Sequence, residues 1–241
     1  MKKFSGKTVV ITGAGSGIGR GLAKLLAGKG AALALVDLSE DNLKETVGML
    51  SDKVLSVRCY PLDVSDKEAV YGLADKVYKD FGRVDVVINN AGVALSETVE
   101  DMSYEDFEWV MDINFWGVVY GTKAFLPYLK RSSEAYIVNI SSIFGLISLP
   151  TQSAYNASKF GVTGFTQAAM LDLRAYGVKM TTIMPGSVAT YFNNHVPTDE
   201  DYWKIQKEDL GQIVVQLISM HPRSLPSKIE LRPTMPGGSS K

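Results

Sequence analysis

Tyr155 and Lys159 stand four residues apart in Tyr155-Asn156-Ala157-Ser158-Lys159, and Ser142 stands thirteen positions before Tyr155. On a helix, side chains at i and i+4 share one face a turn apart, so the phenol and the ammonium would lie side by side. A free phenol has a pKa of about 10 and exchanges protons poorly near neutrality. A fixed cation beside it stabilises the phenolate and lowers that value, which makes such a tyrosine a general acid or base. Ser142 follows the apolar run 135–140 and precedes Gly145, where a strand should end; in open α/β sheets the strand ends carry the site. Taken alone, Tyr-x-x-x-Lys arises by chance in many helices and reads as an ordinary amphipathic pair. Its weight depends on what the rest of the chain brings beside it.

The elements that would position these groups read as alternating runs. Thr8-Val9-Val10-Ile11-Thr12 is a short β-branched strand. It runs into the turn Thr12-Gly13-Ala14-Gly15-Ser16-Gly17-Ile18-Gly19 and then a helix with Ile18, Leu22, Leu25 and Leu26 on one side. Neither the G-x-G-x-x-G nor the Walker A spacing fits this turn. The physics of both still applies: glycines let a backbone approach a pyrophosphate, and a helix start offers free N–H groups and a positive dipole end. A second run, 31–36, ends in Asp37, eighteen residues past Gly19. A carboxylate there can accept hydrogen bonds from an adenosine ribose and would repel a 2′-phosphate, which favours NAD over NADP. A loop or capping Asp is the plainer alternative, although Ser39 is better placed to cap the helix starting near Glu40.

A third run, 54–60, leads to Leu62-Asp63-Val64, and Ser65-Asp66-Lys67-Glu68 then reads as a capping box opening a helix to about Phe81. A fourth strand, 85–88, ends in Asn89-Asn90-Ala91-Gly92. Ser103 caps a long helix expected over 104–129 with Asn114 in its middle. Asn disfavours helix interiors, so its amide either has a specific partner or points to solvent, and without context solvent is the reading. Strand five ends at Ser141-Ser142, the Tyr155 helix continues to about Tyr176, and a sixth strand, 178–184, closes with Pro185-Gly186. An irregular segment from Tyr191 to Lys207, a helix over about 209–220 and a last strand, 228–232, follow.

Strands alternating with helix-length segments imply βαβ units: a doubly wound, mostly parallel sheet of about seven strands with helices on both faces. The crossovers would bring the glycine turn, Asp37, Asp63, Asn90, Ser142 and Pro185-Gly186 to one edge. At 241 residues this is a single domain over 1–241, with 191–211 as a lid and 235–241 as a flexible tail. A net charge of −1 without a dense basic run speaks against nucleic acid. Cys59 is the one cysteine, so no internal disulfide forms. Two histidines, His195 and His221, in no ligand spacing give no catalytic metal. No apolar run reaches a membrane span, and a cytoplasmic setting is expected.

These motifs, in this order and spacing, resemble the classical short-chain dehydrogenase/reductase family over nearly the whole chain: Thr12-Gly13-x-x-x-Gly17-Ile18-Gly19, Asp63-Val64, Asn89-Asn90-Ala91-Gly92, Asn114, Ser142, Tyr155-x-x-x-Lys159 and Pro185-Gly186-x-Val188-x-Thr190. The thirteen-position spacing selects Ser142 over Ser141. The resemblance implies hydride transfer between NAD(H) and a secondary alcohol or ketone, with the cofactor supplying the hard chemistry and the protein positioning it. It implies that Tyr155 exchanges a proton with the substrate oxygen and that Ser142 hydrogen-bonds the same oxygen. Lys159 would bind the nicotinamide ribose and depress the Tyr155 pKa. Asn114 would hold a water in a proton relay, which reverses the solvent reading. Gly13, Ser16, Gly17, Ile18, Gly19, Asp37, Leu38, Asp63, Val64, Asn90, Ala91, Gly92, Pro185, Gly186, Val188 and Thr190, with Tyr155 and Lys159, would bind the dinucleotide. NADP-dependent members often carry a basic residue where this chain has Ser16 or Leu38, so NAD is favoured over NADP, with Arg20 nearby as the one contrary sign.

The lid would cover a substrate pocket with Phe144, Leu146, Phe192 and Trp203 as its apolar lining, unless these side chains simply pack the lid onto the body. The substrate is a small carbonyl or alcohol whose identity the residues leave open. The chain ends in Ile229-Glu230-Leu231-Arg232-Pro233-Thr234-Met235-Pro236, where many relatives have a glycine-rich stretch. A homodimer or homotetramer is nonetheless expected, because the helices over 104–129 and around Tyr155 are apolar on more than one side. A non-catalytic nucleotide-sensing or scaffold protein and an NADP-preferring reductase are the alternatives. An epimerase or dehydratase would need a longer C-terminal substrate region.

Overall fold

Seven parallel strands form the centre of the protein in a computed structural model that describes residues 4–192 and 195–235. The strands are β1 (Thr8–Thr12), β2 (Ala32–Asp37), β3 (Ser56–Pro61), β4 (Val86–Asn89), β5 (Tyr136–Ile140), β6 (Lys179–Pro185) and β7 (Lys228–Leu231). Their order is β3-β2-β1-β4-β5-β6-β7, and every neighbouring pair is parallel. The order reverses direction between β1 and β4, and it is at such a switch that loops part and leave a crevice.

Side chains alternate across the sheet, so each strand feeds two cores. Val9 and Ile11 of β1 join Leu33, Leu35, Val86, Ile88 and Val138 on one face. Helices α1 (Gly17–Gly28) and α7 (Lys207–Ser219) cover that face with Leu22, Leu26, Leu210, Val214 and Leu217. Val10, one residue away, belongs to the opposite core with Val36, Val87, Ile137 and Met180. There α3 (Lys67–Phe81), α5 (Gly117–Leu129) and α6 (Ser153–Leu173) contribute Leu73, Val77, Phe125, Leu129 and Leu173. Burial of this many aliphatic side chains, at roughly 1.5–3 kcal/mol each, holds the strand ends in register.

Several local expectations hold and two need correction. Ser39 caps α2 (Glu40–Gly48) by accepting from the Asn42 N–H, and Ser103 caps α4 (Tyr104–Met111) by accepting from Asp106 N–H. The helix α3, however, has Asp66 and not Ser65 as its N-cap, its carboxylate accepting from Ala69 N–H at 3.0 Å. Ser65 is turned back instead, its N–H and hydroxyl both donating to Asp63 Oδ1 at 2.9 and 2.7 Å. The long helix expected over 104–129 is also not uniform. Residues Asp112–Trp116 form a π-helical turn between α4 and α5, with Asn114 inside it. Such widened turns concentrate at functional sites because they shift the side chains beyond them by one position.

The segment after β6 contains a 3₁₀ turn, Asp199–Trp203, and α7 begins at Lys207, two residues before the expected start. The tail expected over 235–241 lies, beyond Met235, outside the described residues. Among the described residues no helix is long and apolar enough to cross a membrane, and no group of three or more His, Cys, Asp or Glu could hold a metal ion.

Candidate active site

The C-terminal ends of β1, β4, β5 and β6 open into a cavity of about 920 Å³. Its walls include Gly13, Ser16, Gly17 and Ile18 from the β1 turn, Asn90, Ala91 and Gly92 after β4, and Ser142 after β5. Tyr155 and Lys159 from α6 and Pro185, Gly186, Val188 and Thr190 after β6 complete it. Sequence positions separated by up to 177 residues therefore meet in one space. Asp37, Leu38, Asp63 and Val64 are not in this wall; Asp37 ends β2, Leu38 follows it, and Asp63 and Val64 follow β3, on the other side of the glycine turn from Tyr155. Val64 is buried against Gly117, Asp63 is exposed, and Leu38 is 73% exposed.

Two adjacent serines end β5, and the structure gives them different work. Ser141 Oγ donates to the Lys159 carbonyl at 3.0 Å and lies 3.1 Å from Thr163 Oγ1, so it is spent on α6. Ser142 has extended backbone, its Oγ accepts from Phe144 N–H at 3.2 Å, and its hydroxyl is near enough to the Tyr155 phenol to lower the phenol's pKa. Asn156 steadies the loop between β5 and α6 by donating both amide hydrogens, to the Phe144 and Ile147 carbonyls at 2.7 Å each.

The Tyr155 ring is walled by Phe144, edge-on with centroids 6.0 Å apart, and by Phe192 at 6.0 Å. Burial pushes the phenol up to about 12, and the Ser142 hydroxyl only partly offsets this. The expected lowering by Lys159 is therefore not what this arrangement produces. Lys159 Nζ sits 5.5 Å from the Tyr155 ring centroid and donates to the Ile140 carbonyl at 3.3 Å. Burial pushes the ammonium down to about 8, which weakens it as a fixed cation. Desolvation dominates both groups because neither faces a carboxylate.

Asn114 is fully buried, contrary to the solvent reading. Its Oδ1 accepts from Val93 N–H at 2.8 Å, and its Nδ2 donates to the Val93 carbonyl at 2.9 Å and to Ser158 Oγ at 3.1 Å. The π-helical turn thus aims an amide that clasps the chain leaving β4 and ties it to α6. A Cβ at Gly92 would stand 3.0 Å from Asn114 Oδ1 and 3.4 Å from Lys159 Nζ, so the three converge.

The residues present fit a dinucleotide. A Cβ at Gly19 would come within 2.0 Å of the Gly13 carbonyl oxygen, so the turn can fold back on the start of α1 only with glycine there. That fold leaves the α1 N-terminus open toward the cavity, where Gly17 and Ile18 line it. Asp37 accepts from Gly15 N–H at 2.8 Å and from Ser39 N–H at 3.0 Å, which fixes its carboxylate at the end of β2. Arg20, the one contrary sign for cofactor choice, is engaged elsewhere. It pairs with Glu45 through two contacts of 2.8 and 2.7 Å, and donates to Thr46 Oγ1 at 3.0 Å and to the Gly15 carbonyl.

The substrate end of the cavity departs from expectation. Phe144 and Phe192 line it, whereas Leu146 and Trp203 do not. Trp109, Leu149, Thr151, Gln152 and Tyr191 take their place, with His195 and Lys204. Thr151 has φ of +63°, a left-handed conformation that strains a β-branched residue. It is held by Glu97, whose N–H donates to the Thr151 carbonyl at 2.9 Å, and by Ser96 Oγ, 2.9 Å from its hydroxyl. No residue pattern signals this tie, because it joins two irregular loops.

The sequence matches the short chain dehydrogenase family over residues 7–201. The Mycobacterium tuberculosis protein SadH, whose own designation as an oxidoreductase is provisional, is 49% identical over 192 residues, 79% of this chain and 70% of that protein. Among solved structures, an alcohol dehydrogenase from the archaeon Thermococcus sibiricus complexed with 5-hydroxy-NADP superposes with a TM-score of 0.88. It is 30% identical, and the match covers 95% of this chain and 97% of that one. A short chain dehydrogenase from Mycobacterium paratuberculosis bound to NAD gives a TM-score of 0.86 at 26% identity, covering 95% and 97% of the two chains.

Proposed function

The chain belongs to the short chain dehydrogenase family of oxidoreductases, and we propose that it transfers hydride between NAD(H) and a secondary alcohol or ketone with Tyr155 as general acid and base. The observation that carries this reading is the Ser142–Tyr155 pair on the wall of a cavity whose other end is the glycine turn. A nicotinamide dinucleotide, when bound, supplies or accepts the hydride. The chain's own residues do the rest. The Ser142 hydroxyl and the Tyr155 phenol both address one substrate oxygen, so negative charge developing there during reduction meets two donors. With its pKa raised to about 12, the phenol is protonated at neutral pH and ready to give its proton to that oxygen.

Phe144 and Phe192 keep water from the phenol and hold the substrate carbon near it. Lys159, buried beneath Tyr155, is placed to donate to a ribose hydroxyl. Asn114 positions: its three contacts brace Val93 and Ser158. Asp37 supports NAD(H) over NADP(H), since a carboxylate locked at the end of β2 accepts from two ribose hydroxyls and repels a phosphate, while Arg20 is committed to Glu45. Half-exposed Trp116, Phe160 and Leu171 on the helices around the site support assembly into a homodimer or homotetramer.

The test is loss of reduced-nicotinamide absorbance with NADH and NADPH separately against ketones, diketones and acyl-thioester analogues. Turnover favouring NADH supports both parts of the reading. Turnover favouring NADPH removes the cofactor assignment and keeps the chemistry. NADH binding without turnover of any substrate favours a nucleotide sensor.

A further inference from the structure

The wall of the catalytic cavity carries basic side chains and no carboxylate among the described residues. Lys159 belongs to the reaction centre. The other two, His195 and Lys204, come from the segment that covers the cavity between β6 and α7. Both are held by one buried acid: Asp201, 6% exposed, has Oδ2 at 2.6 Å from His195 Nε2 and Oδ1 at 2.6 Å from Lys204 Nζ. Asp201 also accepts from Thr198 N–H at 3.1 Å, which fixes it to the backbone at the start of the 3₁₀ turn. Lys204 and then His195 hold the Asp201 carboxyl well below the usual carboxylate range, so it is an acceptor only.

The hydrogen in the short His195 contact therefore sits on Nε2, and that nitrogen cannot accept from Lys204, whose Nζ lies 3.2 Å away. Lys204 spends one N–H on Asp201 and has two others for which the described residues offer no acceptor. Two basic heads are gathered on the one Asp201 carboxylate, at the wall of a cavity, in a fixed place.

We propose that the His195–Lys204 pair recognises an anion through the two uncommitted N–H groups of Lys204, and so selects a substrate bearing a carboxylate or other acidic oxygen group in addition to its reacting carbonyl. This rests on the reading of the cavity as an oxidoreductase site and deepens it: Phe144, Leu149 and Phe192 give apolar wall to the same cavity that the Tyr155 phenol and the pair line. Asp201 is a positioning residue that preorganises both heads.

The test compares oxo acids of increasing separation between carbonyl and carboxylate with their methyl esters, in the intact protein with NADH. Turnover is measured together with binding to the protein–NADH complex, read by the change in NADH fluorescence. The expected result is that at least one oxo acid exceeds its ester tenfold or more in kcat/KM and in affinity. Lys204→Met brings that ratio close to one through KM, and Lys204→Arg restores most of it. Equal handling of acids and esters at every length overturns the proposal. So does a Lys204→Met effect that falls on NADH affinity, which would assign the pair to the cofactor's phosphates. Equal loss of thermal stability and of the acid-to-ester ratio in both variants would reduce the pair to a brace and likewise overturn it. Preferential binding of an oxo acid without turnover supports the pair while removing the oxidoreductase reading; equal binding without turnover removes both.

Discussion

The backbone N–H of Gly15 donates to Asp37 Oδ2 at 2.8 Å, joining the glycine turn after β1 to the end of β2. The fit is close: a Cβ at Gly15 would stand 2.8 Å from Asp37 Cγ. The acid is thus set by the same turn that shapes the phosphate cradle, and cofactor choice and turn geometry are coupled. Replacing it with alanine, Asp37→Ala, removes a charged acceptor worth about 1.5–3 kcal/mol, so NADH affinity should fall roughly 10- to 100-fold. Use of NADPH relative to NADH should rise. Fluorescence titration and the ratio of kcat/KM values for the two cofactors check this, and an unchanged ratio would leave Asp37 only a brace for Gly15.

Tyr155 can be tested without disturbing the cradle. Tyr155→Phe keeps the ring that packs between Phe144 and Phe192 and deletes the hydroxyl that Ser142 meets. NADH affinity should stay within about threefold, while kcat falls by roughly 10²- to 10⁴-fold. Turnover retained within tenfold would mean that the proton travels by another route.

Lys159 is costly to bury, and the cost has a pH signature. Its ammonium is lowered from an ordinary 10.5 to about 8 by burial, which corresponds to roughly 3 kcal/mol of folding free energy. Below about pH 8 the group is charged in both folded and unfolded chains and the cost is felt in full. Between about 8 and 10 the folded protein releases its proton first, so stability rises with pH. Above about 10 the Tyr155 phenol, protonated in the folded state up to about 12, works in the opposite direction. Lys159→Met should therefore raise the melting temperature at pH 7, abolish turnover, and flatten the rise between pH 8 and 10. A lower melting temperature at pH 7 would show that the Ile140 carbonyl contact outweighs desolvation. This is the trade expected where a site holds a group for chemistry at the expense of stability.

What could be read from the residues differs from element to element for physical reasons. The strands were legible because β-branched runs ending in glycine or Pro185-Gly186 have few other solutions, and the site edge follows from parallel crossovers. Capping failed at Ser65 because Asp63, two residues back, competes for the same hydroxyl. Asn114 read as solvent-facing because its partners Val93 and Ser158 are 21 and 44 residues away, and a π-helical turn leaves no compositional mark. Periodicity reports which face a helix buries; it is silent on desolvation, which is why the direction of the Tyr155 shift was missed. The Asp201 cluster sits in a segment without periodicity, where only three-dimensional proximity brings His195 to Lys204.

Asp85 shows the same dependence on distant partners in a purely structural setting, at the end of the sheet opposite the cavity. Its carboxylate is fully buried and receives Arg83 at 2.7 and 2.6 Å, the Ser132 hydroxyl at 2.6 Å and the Thr8 N–H at 2.9 Å. One side chain thereby joins the start of β1, the approach to β4 and the turn after α5. Burial pushes the carboxyl up, but Arg83, Ser132 and Thr8 together outweigh it and hold it below the usual range. A depressed carboxyl stabilises the fold above the unfolded value of about 3.9 and loses that contribution as pH falls. Asp85→Asn should accordingly cost on the order of 3 kcal/mol at pH 7, because Arg83 and the buried donors lose their charged acceptor. The gap between wild type and variant should narrow steadily from pH 5 to below pH 3. Denaturant melts at a series of pH values measure it, and a gap that stays constant would mean that Asp85 acts through shape and not through charge.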